Sequence, residues 1–158
     1  MKIQLDHDTF KQLCISMAEV IKLYNPSEIV AVVRGGLSAA HIIAKYLKLP
    51  IGVYFPKDGQ LVKTTNKNKF VVVEDLVAHG RTFNKLCSDL LDCCYECEWM
   101  FAPVLVDSSC FTTLDFKGKL ITTGMITSHW IVMPYEEYDM MVEGDRGLFR
   151  NGDDKYGK

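Results

Sequence analysis

The segment Phe70–Thr82, FVVVEDLVAHGRT, limits the possible folds more than any other part of the chain. Phe70–Val73 is an unbroken β-rich apolar run, as expected of a strand buried on both faces of a parallel sheet. It delivers two adjacent carboxylates, Glu74 and Asp75. A short loop containing Gly80 follows, and Thr82 to about Cys94 reads as a helix. The backbone N–H groups of Val77–Thr82 would converge near that helix N-terminus. Unpaired donors and the helix dipole then favour a phosphate, with the Thr82 hydroxyl adding a hydrogen bond. Glu74 and Asp75 would accept from the two hydroxyls of a ribose. Two acids placed directly after buried apolar residues are costly without a partner, which argues for a site rather than a simple loop cap.

A second loop has related properties. Glu28–Val33 is another apolar strand, broken by Arg34-Gly35-Gly36. The glycine pair lets backbone approach a ligand closely, and Arg34 supplies a fixed charge suited to a pyrophosphate. Around these loops the pattern alternates. Phe10, Leu13, Met17, Val20, Ile21 and Tyr24 recur at helical spacing behind Asp8 as N-cap, and Asn25-Pro26 stops them. Leu37–Leu47 reads as a helix, and Ile51–Phe55 and Trp99–Val106 as strands. Leu120–Met125 and His129–Met133 read as shorter strands. Strands alternating with helices predict an α/β fold with a mainly parallel, five-stranded sheet flanked by helices. Ligands of such sheets sit at the carboxyl ends of the strands, where both loops fall.

Bulk properties narrow the class. The 158 residues suit one domain, and a net charge of −2 gives no reason to expect nucleic acid or an anionic membrane as partner. No apolar run approaches the roughly 20 residues of a membrane helix, and Met1–Asp8 has no signal-peptide character, so the chain reads as cytoplasmic. The six cysteines, three of them at Cys93, Cys94 and Cys97, read as reduced thiols. Lys57, Lys63, Lys67 and Lys69 make Tyr54–Lys69 basic. His7, His41 and His129 read as surface or packing residues. The tail from Tyr135 is polar and acidic, with Glu136, Glu137, Asp139, Glu143 and Asp145 as a solvated, partly mobile face.

These motifs resemble the type I phosphoribosyltransferases. Phe70–Thr82 is similar to that family's phosphoribosyl pyrophosphate signature, and Arg34-Gly35-Gly36 to its pyrophosphate loop. Trp130-Ile131-Val132-Met133-Pro134-Tyr135-Glu136 looks like the base-binding end of the 6-oxopurine members. The resemblance spans residues 28–136 in order. It implies a single domain over 1–158, with a hood from the N-terminal helix and the region around 120–136. It implies transfer of a phosphoribosyl group from phosphoribosyl pyrophosphate to a nucleobase, most simply a purine, in nucleotide salvage.

The same resemblance distributes roles. Glu74 and Asp75 would hold the ribose hydroxyls and reach Mg2+ indirectly, through those hydroxyls and water. Val77, Ala78, His79, Gly80, Arg81 and Thr82 would wrap the 5′-phosphate. Arg34, Gly35 and Gly36 would meet the pyrophosphate, with a cis Arg34–Gly35 peptide. Trp130 would lie against the base, and the Ile131-Val132 backbone near its edge. Tyr54–Lys69 would be a mobile loop whose lysines neutralise departing pyrophosphate. Partners would be phosphoribosyl pyrophosphate, a nucleobase, a nucleoside monophosphate and a second copy of the chain.

Two positions depart from the purine pattern. Ala78-His79-Gly80 stands where purine members commonly carry Asp-Thr-Gly, and Asp107 ends a strand where the 6-oxopurine enzymes usually place a lysine. Asp107 would accept from an amino group instead. These departures keep two alternatives open: a non-catalytic protein that binds phosphoribosyl pyrophosphate or a nucleotide to control a partner, and an enzyme for an unusual base.

Overall fold

The computed structural model describes residues 2–136. The expected acidic face beyond Glu136 lies outside them. The main sheet has six strands, in the order β4-β3-β2-β5-β6-β7. These are β2 (Glu28–Val32), β3 (Ile51–Phe55), β4 (Gln60–Val62), β5 (Lys69–Val77), β6 (Glu98–Asp107) and β7 (Met125–Thr127). Five run parallel. β4 is an antiparallel edge strand paired with β3, formed within the stretch read from sequence as a basic loop. A separate two-stranded parallel sheet joins β1 (Lys2–Gln4) to β8 (Trp130–Val132). The expected strand over 120–125 is instead an isolated bridge, Phe101 to Leu120, followed by β7.

Alternation along the strands builds two cores. In β2 and β5, Ile29, Ala31, Val71 and Val73 face α1 (His7–Tyr24) and α2 (Leu37–Leu47), which pack on each other and on this side of the sheet. Val30, Val32, Phe70 and Val72 face α3 (Arg81–Cys93), whose Phe83, Leu86 and Leu90 are buried against them. Phe83 stands at the centre of an aromatic group, 5.0 Å from Phe101 and 5.1 Å from Phe116 between ring centroids. With both faces covered, the central strands are apolar throughout, which is why they read as continuous runs rather than alternating ones.

Several boundaries differ from the sequence reading. The N-cap of α1 is Asp6, whose Oδ1 accepts from Thr9 N at 2.7 Å, and Asp8 falls inside the first turn. A short helix α4 (Ser108–Thr113) follows β6 directly. The N-terminal strand of the hood-like layer is β1. Helix α1 lies along α2 and β6, and its first turn meets the 130–136 segment through Phe10 against Tyr135. Cys94 and Cys97 form a disulfide rather than free thiols. The turn that ends α3 brings their Cα atoms to 5.3 Å, with Cys97 N donating to Cys94 O at 2.9 Å. Among the described residues no helix is long and apolar enough to cross a membrane.

Candidate active site

β5 does not end at its carboxylates. It continues to Val77, so Glu74 and Asp75 are strand residues, 1 % and 5 % exposed, and their side chains leave the strand in alternate directions. Each turns back toward the carboxyl end. Glu74 Oε1 accepts from Asp75 N at 3.1 Å, and Asp75 Oδ1 accepts from Leu76 N at 2.8 Å. Asp75 Oδ2 accepts from the Tyr135 hydroxyl at 2.7 Å. Burial, together with the Asp75 charge beside it, pushes the Tyr135 phenol up, so it stays protonated and donates.

The loop after β2 abuts this carboxylate. A methyl group on Gly35 would lie 2.3 Å from Asp75 Oδ2, and one on Gly36 2.4 Å from Val73 O. No larger residue fits at either position without moving the strand. Arg34 is exposed beside them. The cis peptide is Val33–Arg34, one bond before the expected Arg34–Gly35. The loop after β2 thus abuts Asp75 of the neighbouring strand β5.

Beyond β5, residues 76–83 wrap a small concavity at the start of α3. Gly80 caps that helix with φ of 76°, a left-handed conformation that favours glycine, and no side chain caps the helix. The first turn of α3 carries no acid, so its N–H groups and dipole remain suited to an anion. Thr82 is buried, while His79 and Arg81 are exposed.

A larger cavity of about 360 Å3 adjoins this cradle, sharing Leu76, Ala78 and His79 with it. Its far wall is Trp130 and Ile131 of β8. Val132 is absent from that lining: its side chain is buried and its carbonyl accepts from Leu5 N at 2.9 Å. Asp107 forms the floor at the end of β6 and also N-caps α4, where Oδ1 accepts from Ser109 N at 2.9 Å and from the Ser109 hydroxyl. The Ser109 hydroxyl bond, the backbone N–H groups of Ser109 and Cys110, and attraction to His79 outweigh burial and hold the Asp107 carboxyl below its usual range.

Two readings from sequence change here. His129 is exposed and also lines the cavity, beside Thr127 and Ser128, which the sequence reading did not foresee. The lysines of the basic segment lie at the opposite end of the sheet. Lys63 stands 3.9 Å from Glu28 at the start of β2 and donates to Lys67 O, and Lys69 opens β5 with its ammonium 4.6 Å from the Tyr24 ring. The length of β2 separates them from Arg34, about 17 Å at strand rise. Lys57, in the β3–β4 turn, is the one basic residue of that segment outside this group.

No protein-family model matches the chain, and no curated protein matches its sequence. Solved structures do match. The Pyrococcus horikoshii purine phosphoribosyltransferase is 26% identical, with a TM-score of 0.67 over 86% of this chain and 94% of that one. The Helicobacter pylori xanthine-guanine-hypoxanthine phosphoribosyltransferase is 16% identical, with a TM-score of 0.69 over 89% and 97%. A Neisseria gonorrhoeae protein with bound ppGpp is 17% identical, with a TM-score of 0.60 over 89% and 92%. The chain has the type I phosphoribosyltransferase fold, and the solved structures it resembles include several purine-type members.

Proposed function

We propose that this chain is a phosphoribosyltransferase, a pentosyltransferase that moves a 5-phosphoribosyl group from phosphoribosyl pyrophosphate to a purine base and releases pyrophosphate. The observation that carries the reading is the grouping of three features: the cradle over residues 76–83, the Asp75–Gly35 contact at the residue just before it, and the cavity under Trp130 that shares Leu76, Ala78 and His79 with the cradle. They match in order the 5′-phosphate, the ribose with its pyrophosphate, and the base. A cavity of about 360 Å3 is of small-ligand size.

The residues divide the work. The N–H groups of Ala78–Thr82 and the Thr82 hydroxyl hold the 5′-phosphate. Asp75 and Glu74 accept from the ribose hydroxyls and favour the cation-like sugar of the transition state. Arg34 and the backbone at Gly35 and Gly36 meet the pyrophosphate. Trp130 covers the base, with Ile131 beside it. A base nitrogen forms its bond to the anomeric carbon as the carbon–oxygen bond to pyrophosphate breaks. Ala78 has no group to take the proton from that nitrogen; the accepting groups that line the cavity are His79, His129 and Asp107.

Among the described residues no group of three or more His, Cys, Asp or Glu side chains is arranged to hold a metal. Magnesium keeps much of its water and binds through one or two carboxylates plus substrate phosphates, a demand that the adjacent carboxylates of Glu74 and Asp75 meet. Glu74 and Asp75 would reach it through the ribose hydroxyls and water. When bound, it neutralises charge on the departing pyrophosphate. We read residues 1–158 as one domain, active in nucleotide salvage and working as a homodimer.

The test is binding of phosphoribosyl pyrophosphate with magnesium, by calorimetry, to the wild type and to the Glu74→Gln, Asp75→Asn double variant. Loss of two charge-assisted hydrogen bonds should weaken binding by at least about 100-fold. Equal affinity in the two proteins would refute the ribose assignment.

A further inference from the structure

The phosphoribosyl-transfer reading leaves the base unnamed, and the cavity wall carries information about it; any assignment of the base rests on that reading. Asp107 is the one carboxylate among the described lining residues, which include no lysine or arginine. Its orientation is fixed by a second role, because as N-cap of α4 it is held by Ser109 N at 2.9 Å and by the Ser109 hydroxyl. Those bonds occupy part of its accepting capacity, since an ionised carboxylate offers about four lone-pair positions. They also commit the Ser109 proton, which is then not offered to a ligand. A second lining hydroxyl, Thr127 Oγ1, accepts from His129 N at 3.0 Å.

An ionised carboxylate only accepts. A base edge that brings N–H groups to Asp107 gains charge-assisted bonds, whereas one that brings a carbonyl oxygen sets two acceptors against each other in a partly desolvated cavity. An anionic base is repelled outright. We infer that Asp107 makes this cavity selective for purines presenting an exocyclic amino group, favouring adenine over its oxo counterpart hypoxanthine. The carboxylate does this from the end of β6, outside the 76–83 lining of the phosphate cradle, to which it is linked through the charge of His79.

Product nucleotides test this without requiring turnover. AMP and IMP share the ribose and phosphate and differ at the base edge, so their affinities are measured by calorimetry on the wild type and on Asp107→Asn. Asparagine is as good an N-cap as aspartate and adds a donor, so the fold is kept while the chemistry of the cavity changes. The wild type should bind AMP at least about tenfold more tightly than IMP, and Asp107→Asn should reduce that ratio at least about tenfold while leaving phosphoribosyl pyrophosphate affinity unchanged. Equal or tighter binding of IMP by the wild type overturns the inference, as does a ratio that Asp107→Asn leaves in place. If the wild type binds phosphoribosyl pyrophosphate and neither nucleotide is preferred, the base assignment fails alone. If it binds neither phosphoribosyl pyrophosphate nor a nucleotide, the phosphoribosyl reading fails and takes the base assignment with it.

Discussion

Asp75 is the residue on which the site turns, because two distant parts of the chain meet it beside its own strand neighbour. Gly35 leaves no room for a side chain against it, Leu76 N holds one oxygen and the Tyr135 hydroxyl holds the other. A ribose hydroxyl bound at Oδ2 competes with the Tyr135 hydroxyl for that oxygen. Removing the phenolic oxygen should therefore help the ligand. Tyr135→Phe should bind phosphoribosyl pyrophosphate about two- to fivefold more tightly, the scale of one net hydrogen bond, in a titration with magnesium. Weaker binding would mean instead that Tyr135 positions Asp75 for the sugar. The two acids, the glycine pair and the Gly80 turn were all legible in the sequence, because each rests on local chemistry at adjacent positions. Tyr135 was legible only as part of the Trp130–Glu136 motif; its bond to Asp75 was not, since that partner lies 60 residues away.

At the scale of elements, the helices and central strands followed directly from periodicity and from continuous apolar runs. The errors lie where tertiary pairing decides. β5 runs on through Glu74 and Asp75 because β6 pairs with it as far as Val77–Val106, and no local signal marks that register. β4 forms because β3 offers an edge, which turns the supposed mobile loop into a hairpin followed by an anchored return. Glu28 is that anchor. It is fully buried, and it accepts from Thr64 N at 3.0 Å, Thr64 Oγ1 at 2.9 Å and Thr65 Oγ1 at 3.0 Å, with Lys63 nearby. Glu28→Ala strands those donors and opens space under the return segment. It should cost about 2–4 kcal/mol, read as a lowered midpoint in denaturant unfolding. Because Glu28 sits at the amino end of the sheet, the folded variant should still bind phosphoribosyl pyrophosphate with wild-type affinity.

Across the whole molecule, the sheet keeps structure and chemistry at separate ends. Two cores, one under α1 and α2 and one under α3, clamp its faces, and the buried Glu28 knot closes its amino end. The carboxyl end is left to the two loops and the cavity beneath β8, which draws its walls from three separate stretches of chain, around residues 78, 107 and 129. That assembly explains why the base end was harder to read than the phosphate end. A phosphate loop is one contiguous motif, whereas a base pocket exists only once β6, α4 and β8 have come together. His129, read from sequence as a surface or packing residue, is exposed and joins the cavity lining for that reason.

The measurement that bears most directly on the central claim is pyrophosphate release from phosphoribosyl pyrophosphate with magnesium, across adenine, hypoxanthine, guanine, xanthine, uracil and orotate. The account expects release that depends on a purine, fastest with adenine, and its loss in the Glu74→Gln, Asp75→Asn variant. No base-dependent release with any of these, from protein shown to bind phosphoribosyl pyrophosphate, would contradict the transferase reading and leave a binding protein built on the same fold.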